Sequence, residues 1–259
     1  MDLSIIIPVY NSSDIIKKLI NQISLNLKKR LKYEILLIND SSKDTSWDVI
    51  STLSKRYRCI KGINLKKNYG QHSAILIGLK YAKGKKIITM DDDLQHPPSS
   101  IIQILHTLKK YDLCYTLYLK RKHLLWKKTV SYLNNIFSSF LFNKSIKIYL
   151  SSYRGFDSKL LPSIFKFKKK VIFIDSLLLR STKNITAINV KHKKRYKGDS
   201  NYNIKNLFSL WFDMIENYHF LPIRLGSIIG FITYLFVKII RINSIQSYKK
   251  IEIKSKTFN

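Results

Sequence analysis

Three consecutive carboxylates, Asp91-Asp92-Asp93, stand directly before Leu94-Gln95-His96-Pro97-Pro98. Neighbouring carboxylates repel one another unless a cation compensates. In extended backbone alternate side chains point the same way, so Asp91 and Asp93 share one side. Hard oxygen donors in that arrangement suit Mg²⁺ or Mn²⁺, which such sites hold with help from substrate phosphates. The same residues also read as an acidic turn ahead of a helix opened by Pro97-Pro98, with Asp93 near the positive helix end. Asp40, in the run Asn39-Asp40-Ser41-Ser42-Lys43-Asp44, either accepts hydrogen bonds from a base or ribose or caps a turn. Turn chemistry explains Asn11 and Asn68 as well.

The elements that would position these residues alternate regularly. Leu3–Val9 reads as a buried strand, followed by helical spacing at Ile15, Ile16, Leu19, Ile20 and Ile23, with Ser12 or Ser13 as the cap. Glu34–Asn39 is a second strand, with a helix through Trp47, Ile50 and Leu53 behind it. Cys59–Leu65, Lys86–Met90 and Leu113–Leu117 read as further strands, separated by helices at Ala74–Ala82 and Ile101–Leu105. Strand and helix in alternation predict an α/β fold with a mostly parallel central sheet flanked by helices. Ligands of such sheets bind beyond the carboxyl ends of the strands. Tyr10-Asn11, Asp40, Asn68 and Asp91–Asp93 each follow a strand, so all four clusters should meet at one edge. The second half is expected to be more helical, including Trp126–Phe142, with a basic loop over residues 191–206.

The chain has 259 residues, 47 Lys and Arg, 16 Asp and Glu, and a formal charge of +31. With 45% hydrophobic and 12% aromatic residues it can build a core, which argues against disorder. An AT-rich coding bias accounts for part of the lysine excess. The remainder suggests a polyanionic partner, whether nucleic acid, anionic membrane or phosphorylated substrate. Residues 1–112 hold 19 basic and 10 acidic side chains, and the rest hold 28 and 6, so the basic surface lies mainly in the second half. Cys59 and Cys114 show no CxxC spacing and read as reduced core residues. Met1-Asp2 has no basic leader of the signal-peptide kind. Residues 220–240 form an apolar stretch with Arg224 and Lys238 near its ends. Spanning a bilayer, lying in its interface and packing on the domain all fit it. Lys249, Lys250, Lys254 and Lys256 after it suit an anionic leaflet.

The ordered set Pro8–Asn11, Asn39–Asp44, Lys66–Ala74, Asp91–Pro98, Ser151–Phe156 and Arg195–Tyr202 resembles family-two glycosyltransferases. The closer likeness is to the branch of dolichyl- and undecaprenyl-phosphate sugar synthases, and the resemblance covers about residues 3–225. Pro-Val-Tyr-Asn alone is weak; Asp91–Pro98 combined with the Arg195-to-Tyr202 pattern is specific. The resemblance implies a GT-A fold and an inverting, metal-dependent transfer from a nucleotide-sugar. By the same resemblance Pro8, Tyr10, Asn11, Asp40, Asn68 and Gly70 line the nucleotide-sugar pocket, together with Asp91 and Asp92. Asp91, Asp93 and Gln95 match the Mg²⁺ or Mn²⁺ site. Arg195, Gly198, Ser200 and Tyr202 match a mobile loop near diphosphate and acceptor, with Asp93, Arg195 and Ser200 at the reaction centre. Arg121, Lys127, Lys128, Ser131 and Arg154 are candidates for the acceptor phosphate. Each of those lysines also reads as solvated surface.

Three departures from the family stand out. Tyr118 occupies a position where relatives usually have Arg, and Ser152 one where they usually have Asp. Relatives that glycosylate lipid phosphates often end in two membrane helices, against one short apolar candidate here. The implied reaction moves a hexose-type sugar to undecaprenyl phosphate for surface polysaccharide such as O-antigen, at the cytoplasmic face of the inner membrane. The alternative acceptor, a sugar hydroxyl of a lipid-linked glycan, needs a general base, for which Asp157 or Asp175 is the candidate. A nucleic-acid-binding protein is a remote alternative, lacking any binding motif, as is a non-catalytic sugar-nucleotide binder. Residues 1–206 are expected to form the catalytic domain, 207–243 a membrane-associated segment and 244–259 a basic tail.

Overall fold

The structure is a computed structural model describing residues 1–27, 31–118, 135–136, 138–139, 144–166, 173–191 and 251–258. The expected site residues Arg121, Lys127, Lys128, Ser131, Arg195, Gly198, Ser200 and Tyr202 lie outside these, as does the segment 207–243.

Seven elements follow the alternation read from the sequence: β1 (Leu3–Val9), α1 (Ser13–Leu27), β2 (Tyr33–Asn39), α2 (Ser46–Arg56), β3 (Ile60–Leu65), α3 (Gln71–Tyr81) and β4 (Lys86–Thr89). After them come α4 (Ile101–Thr107), β5 (Leu113–Tyr118), β6 (Arg154–Asp157), α5 (Leu161–Lys166), α6 (Ile174–Ser181), β7 (Ile185–Val190) and β8 (Ile253–Lys256). The eight strands form one sheet in the order β7-β5-β6-β4-β1-β2-β3-β8. Pairings β1–β2, β1–β4, β2–β3 and β5–β7 are parallel. β6 runs antiparallel between β4 and β5, and β8 runs antiparallel along β3.

The centre of this sheet is buried on both faces, which is why β1 and β2 read as continuous apolar runs. Ile6, Leu36, Ile38 and Ile63 face α3 and α6 on one side. Ile5, Ile7, Ile35 and Leu37 face α1, α2 and α4 on the other. α1 buries Ile15, Ile16, Leu19, Ile20, Ile23 and Leu27, the stripe that its helical spacing announces. Gly78 lets α3 lie directly on β1: a Cβ there would stand 2.5 Å from Ile6 Cγ2.

The described part of the second half holds four strands, β5 to β8, beside the short helices α5 and α6, and the rest of the expected helical stretches lies outside the described residues. Of Trp126–Phe142, the described residues Asn135, Ile136, Ser138 and Ser139 are helical. Ile253–Lys256, within the expected basic tail, joins the sheet.

At the end of the sheet away from the candidate site, the fully buried Glu34 accepts from Ser4 Oγ (2.6 Å), Lys83 N (2.6 Å) and Lys61 Nζ (2.7 Å). Burial alone would raise its pKa, but these donors hold it below the ordinary value of 4.5. A depressed folded pKa means the contribution is present above about 4.5 and lost as pH falls through the folded value. Glu34→Gln should therefore lose about 1–3 kcal/mol at neutral pH and flatten the acid limb of a stability-versus-pH curve measured by denaturant titration.

Candidate active site

The carboxyl ends of β1, β2, β3 and β4 each give way to a loop with one residue in the left-handed region: Asn11 (φ 53°), Ser41 (φ 57°), Gly70 (φ 83°) and Leu94 (φ 63°). Among the described residues these are the only such positions. For Leu94, a branched side chain, the conformation costs about 1–2 kcal/mol. Backbone strain held by its surroundings is characteristic of functional loops. Here it marks the edge at which the sequence places the ligand.

A cleft of about 770 Å³ opens at this edge, lined by Pro8, Tyr10, Asn11, Asp40, Asn68, Gly70, Asp91, Asp92 and Asp93, with Ser12, Asp44 and Gln71 among its other walls. All eight residues expected around the nucleotide-sugar thus converge, together with Asp93. Tyr10 keeps an exposed ring at the rim, suited to an aromatic base.

Their roles are more local than the residue types alone suggest. The Asn11 side-chain oxygen accepts from Lys43 N at 2.8 Å, and Asn11 N donates to Ser42 Oγ at 3.0 Å, so Asn11 ties the β1 loop to the β2 loop. Asn68 Oδ1 accepts from Gly70 N at 3.1 Å. The buried Asp40 accepts from Tyr69 N and Gly70 N, 2.7 Å each, and so holds the β3 loop. Burial raises its pKa while those two amides oppose the shift. Asp40 thus fastens the β3 loop rather than its own turn, and it also lines the cleft. Ser12, one of the two expected caps, stands just before α1 with its carbonyl accepting from Ile15 N and Ile16 N. Asp44 Oδ2, not a local serine, accepts from Ser13 N at 3.0 Å, while Ser12 Oγ donates to Asp92 Oδ2 at 2.6 Å.

The acidic triplet divides its work. Asp92 Oδ2 also accepts from Tyr10 N at 3.3 Å. Burial pushes the Asp92 carboxyl up to about 6 against the pull of Ser12, with the Asp91 and Asp93 charges adding to the rise. Asp91 is held from three sides. Gln71 Nε2 donates to Oδ1 (2.5 Å), Ser152 Oγ donates to Oδ2 (2.7 Å), and the Asp91 amide donates to His96 Nδ1 (2.9 Å). His96 lies nearly parallel to Tyr153 and Tyr118, with ring centroids 4.9 and 6.0 Å away. Asp93 Oδ1 accepts from Gln95 N at 3.0 Å. Gln95 therefore acts here through its backbone amide, and it is not among the cleft-lining residues.

Among the described residues no group of three or more His, Cys, Asp or Glu side chains forms a ready-made metal cage. The donor set fits a divalent cation nonetheless. Two carboxylates on a cleft wall are the protein share expected for Mg²⁺ or Mn²⁺ completed by substrate phosphates and water. Asp91 and Asp93 would hold the ion, with Asp91 oriented by Gln71, Ser152 and His96. Two of the three departures from the family gain a place. Tyr118 is part of the His96 stack, and Ser152 donates to Asp91 where an aspartate would add a fourth negative charge. Ser152→Ala should weaken apparent metal affinity about tenfold, the scale of losing such a supporting bond, as read from initial rate against Mn²⁺ concentration.

Arg154 requires correction. It was expected at the acceptor phosphate, but it is 1% exposed on β6 and its guanidinium is ion-paired with Asp175. Tyr115 Oη also donates to Asp175, at 2.9 Å. Asp175 is thus a buried counter-ion. Asp157 pairs with Lys86 at 2.6 Å, at the start of β4 and so at the opposite end from Asp91. Neither candidate general base reaches the cleft. Gln71, Ser12, Asp44, His96 and Ser152 had no individual signal as site residues, because only the strand order brings residues 12, 71 and 152 to residues 91 and 92.

Known proteins match this chain along most of its length. The profile of Glycosyl transferase family 2 matches residues 4–165. The undecaprenyl-phosphate 4-deoxy-4-formamido-L-arabinose transferase of Serratia proteamaculans is 30% identical over 235 residues, spanning 90% of this chain and 72% of that protein. Its namesake from Yersinia pestis is 33% identical over 230 residues, spanning 88% and 70%. Among solved structures, glucosyl-3-phosphoglycerate synthase from Mycobacterium tuberculosis with Mg²⁺ and uridine diphosphate gives a TM-score of 0.62 at 16% identity, covering 83% of this chain and 77% of that one. The same enzyme with Mn²⁺, uridine diphosphate and glucosyl-3-phosphoglycerate gives 0.59 at 17% identity, covering 83% and 78%. At such identity the likeness establishes the GT-A fold alone.

Proposed function

The chain belongs to glycosyl transferase family 2, and on that premise we propose that it moves a sugar from a nucleotide-sugar to undecaprenyl phosphate with inversion at the anomeric carbon. The observation that carries this reading is the cleft at the β1–β4 edge, where Tyr10 and the Asp40-held loop face a wall made by Asp91 and Asp93. The acceptor comes from the relatives, whose name specifies undecaprenyl phosphate and which align over nine-tenths of the chain.

Tyr10 and Asp40 place the nucleoside beside the β3 loop, whose Asn68 and Gly70 line the same cleft. Asp91 and Asp93 would hold a divalent ion, which when bound would neutralise charge on the departing diphosphate. A phosphate oxygen of the acceptor attacks the anomeric carbon from the opposite face. The bond from that carbon to the diphosphate oxygen breaks, and the nucleoside diphosphate departs with the electron pair. The acceptor phosphate is already an anion near pH 7, so its attack requires no general base. In keeping with this, neither Asp157 nor Asp175 lines the cleft, and each is ion-paired. Arg195, Ser200 and Tyr202 are proposed for the loop over diphosphate and acceptor, and Arg121, Lys127, Lys128 and Ser131 for the acceptor phosphate. Residues 207–243 are proposed as the segment that seats the enzyme on the cytoplasmic face of the membrane. Among the described residues no helix is long and apolar enough to cross one.

The relatives' name describes a formamido pentose, whereas the sequence suggested a hexose-type sugar, so a donor screen should contain both. The acceptor is tested by offering undecaprenyl phosphate and an undecaprenyl-linked glycan side by side. Transfer to the bare phosphate is expected. Transfer to the glycan alone would replace this reading with the hydroxyl-acceptor one.

A further inference from the structure

β8 is a strand contributed from the far end of the chain, and it does more than cover the β3 edge. Its register pairs Ile63 with Lys256, Asn64 with Ser255 and Leu65 with Ile253, with an irregularity between Asn64 and Leu65. One end is anchored at Gly62, whose carbonyl accepts from Thr257 N (3.0 Å) and whose amide donates to Thr257 Oγ1 (2.7 Å). Phe258 packs edge-on against Tyr81 at 5.6 Å. Ile251, Ile253 and Phe258 add to the core on the α3 side.

The other end reaches the candidate site. Lys66 N donates to Glu252 O at 3.0 Å, and Glu252 N donates to Tyr69 Oη at 3.0 Å. Lys66 and Glu252 also pair through their side chains at 2.6 Å, an exposed contact of small weight. Tyr69 is buried, and its own amide donates to Asp40. A single residue therefore joins the tail through its hydroxyl to the cleft through its backbone. Asn68 and Gly70, on either side of it, line the cleft. Residues 66–70 are a loop with one positive-φ glycine, Gly70, whose amide donates to Asn68 Oδ1 at 3.1 Å. Their position is set from two sides, by Asp40 within and by residue 252 without.

We propose that residues 251–258 are a strap that positions the donor-binding loop 66–70, with Tyr69 as the positioning residue, so that donor affinity depends on the seating of this strand. This rests on the reading of the cleft as the nucleotide-sugar site. Added strands are held mainly by main-chain bonds, so a detached one should rebind as a peptide.

The test measures binding of uridine, guanosine and cytidine diphosphate with Mn²⁺ to the full chain by calorimetry, and carries the best binder forward. A chain lacking residues 251–259 is expected to bind it at least tenfold more weakly, and a synthetic peptide of residues 249–259 to restore binding. Tyr69→Phe, which removes only the hydroxyl that meets Glu252 N, should weaken binding about threefold and raise the donor KM without moving the acceptor KM. If the shortened chain is folded by circular dichroism and binds as the full chain does, the strap is refuted. If it does not fold, unchanged binding in Tyr69→Phe refutes it. A full chain that binds none of the three nucleotides overturns the proposed function and the strap together. Normal binding in the full chain with no effect of either variant overturns the strap alone.

Discussion

Replacing Asp91 and Asp93 together by Asn should lower kcat/KM by about a thousandfold, the scale of losing charge stabilisation of a leaving diphosphate, without an earlier melting transition. Two acidic side chains separated by one residue share the cleft wall with Asp92, and their mutual repulsion opposes folding when no cation is near. Removing two of the three charges relieves that repulsion. The same substitutions remove the hard oxygen donors that a divalent ion needs. Activity and stability should therefore move in different directions, which no loss-of-fold explanation reproduces. Initial rates with saturating Mn²⁺ and a thermal melt on the same preparation check this. Full activity in the double variant would remove the metal assignment.

Asp175→Asn should do the reverse, destabilising the protein by about 3–5 kcal/mol, the cost of leaving a buried charge without its partner. Arg154 is 1% exposed, and Asp175 is its counter-ion. The surroundings offer little relief. Among the described residues Arg154 Nε and the nearby His72 Nδ1 are buried without hydrogen-bond partners, and burial lowers the His72 pKa to about 4. Melting should fall by roughly 10 °C for a chain of this size. Arg154→Met/Asp175→Leu should recover most of the loss, because an apolar pair of similar volume carries no uncompensated charge. The folded fraction of Asp175→Asn should retain kcat within about tenfold, whereas loss of a general base costs 10²- to 10⁴-fold. The substitution therefore separates the two acceptor readings as well as testing the buried pair.

Sequence pattern reached the first half of the fold because β1 to β4 are apolar runs separated by helices, amphipathic in α1 and α2 and largely buried in α3, so run length and periodicity identify them. The convergence of Tyr10, Asp40, Asn68 and Asp91 followed from parallel strand order, since each residue sits just past a carboxyl end. The later strands were not legible for physical reasons. β6 is Arg-Gly-Phe-Asp, four residues whose arginine is buried only because Asp175 arrives from α6. β7 is mostly half-exposed. β8 reads Ile-Lys-Ser-Lys, a short edge strand indistinguishable from basic tail until its partner β3 is known. Arg154 misled for the same reason: a lone arginine in a motif suggests a phosphate, and its counter-ion lies 21 residues away. The supports of Asp91 were invisible because Gln71 and Ser152 carry no distinguishing spacing to it.

Transfer from a nucleotide-sugar to a lipid phosphate is the reaction proposed for this chain. Its most direct measurement uses the purified full chain, Mn²⁺, undecaprenyl phosphate and a nucleotide-sugar labelled in the sugar, counting label in the lipid phase against nucleoside diphosphate released. One labelled lipid for each nucleoside diphosphate, with neither formed when the lipid phosphate or the metal is withheld, is the predicted result. Nucleoside diphosphate released at the same rate without lipid phosphate, or label found only on a glycan hydroxyl, would contradict it.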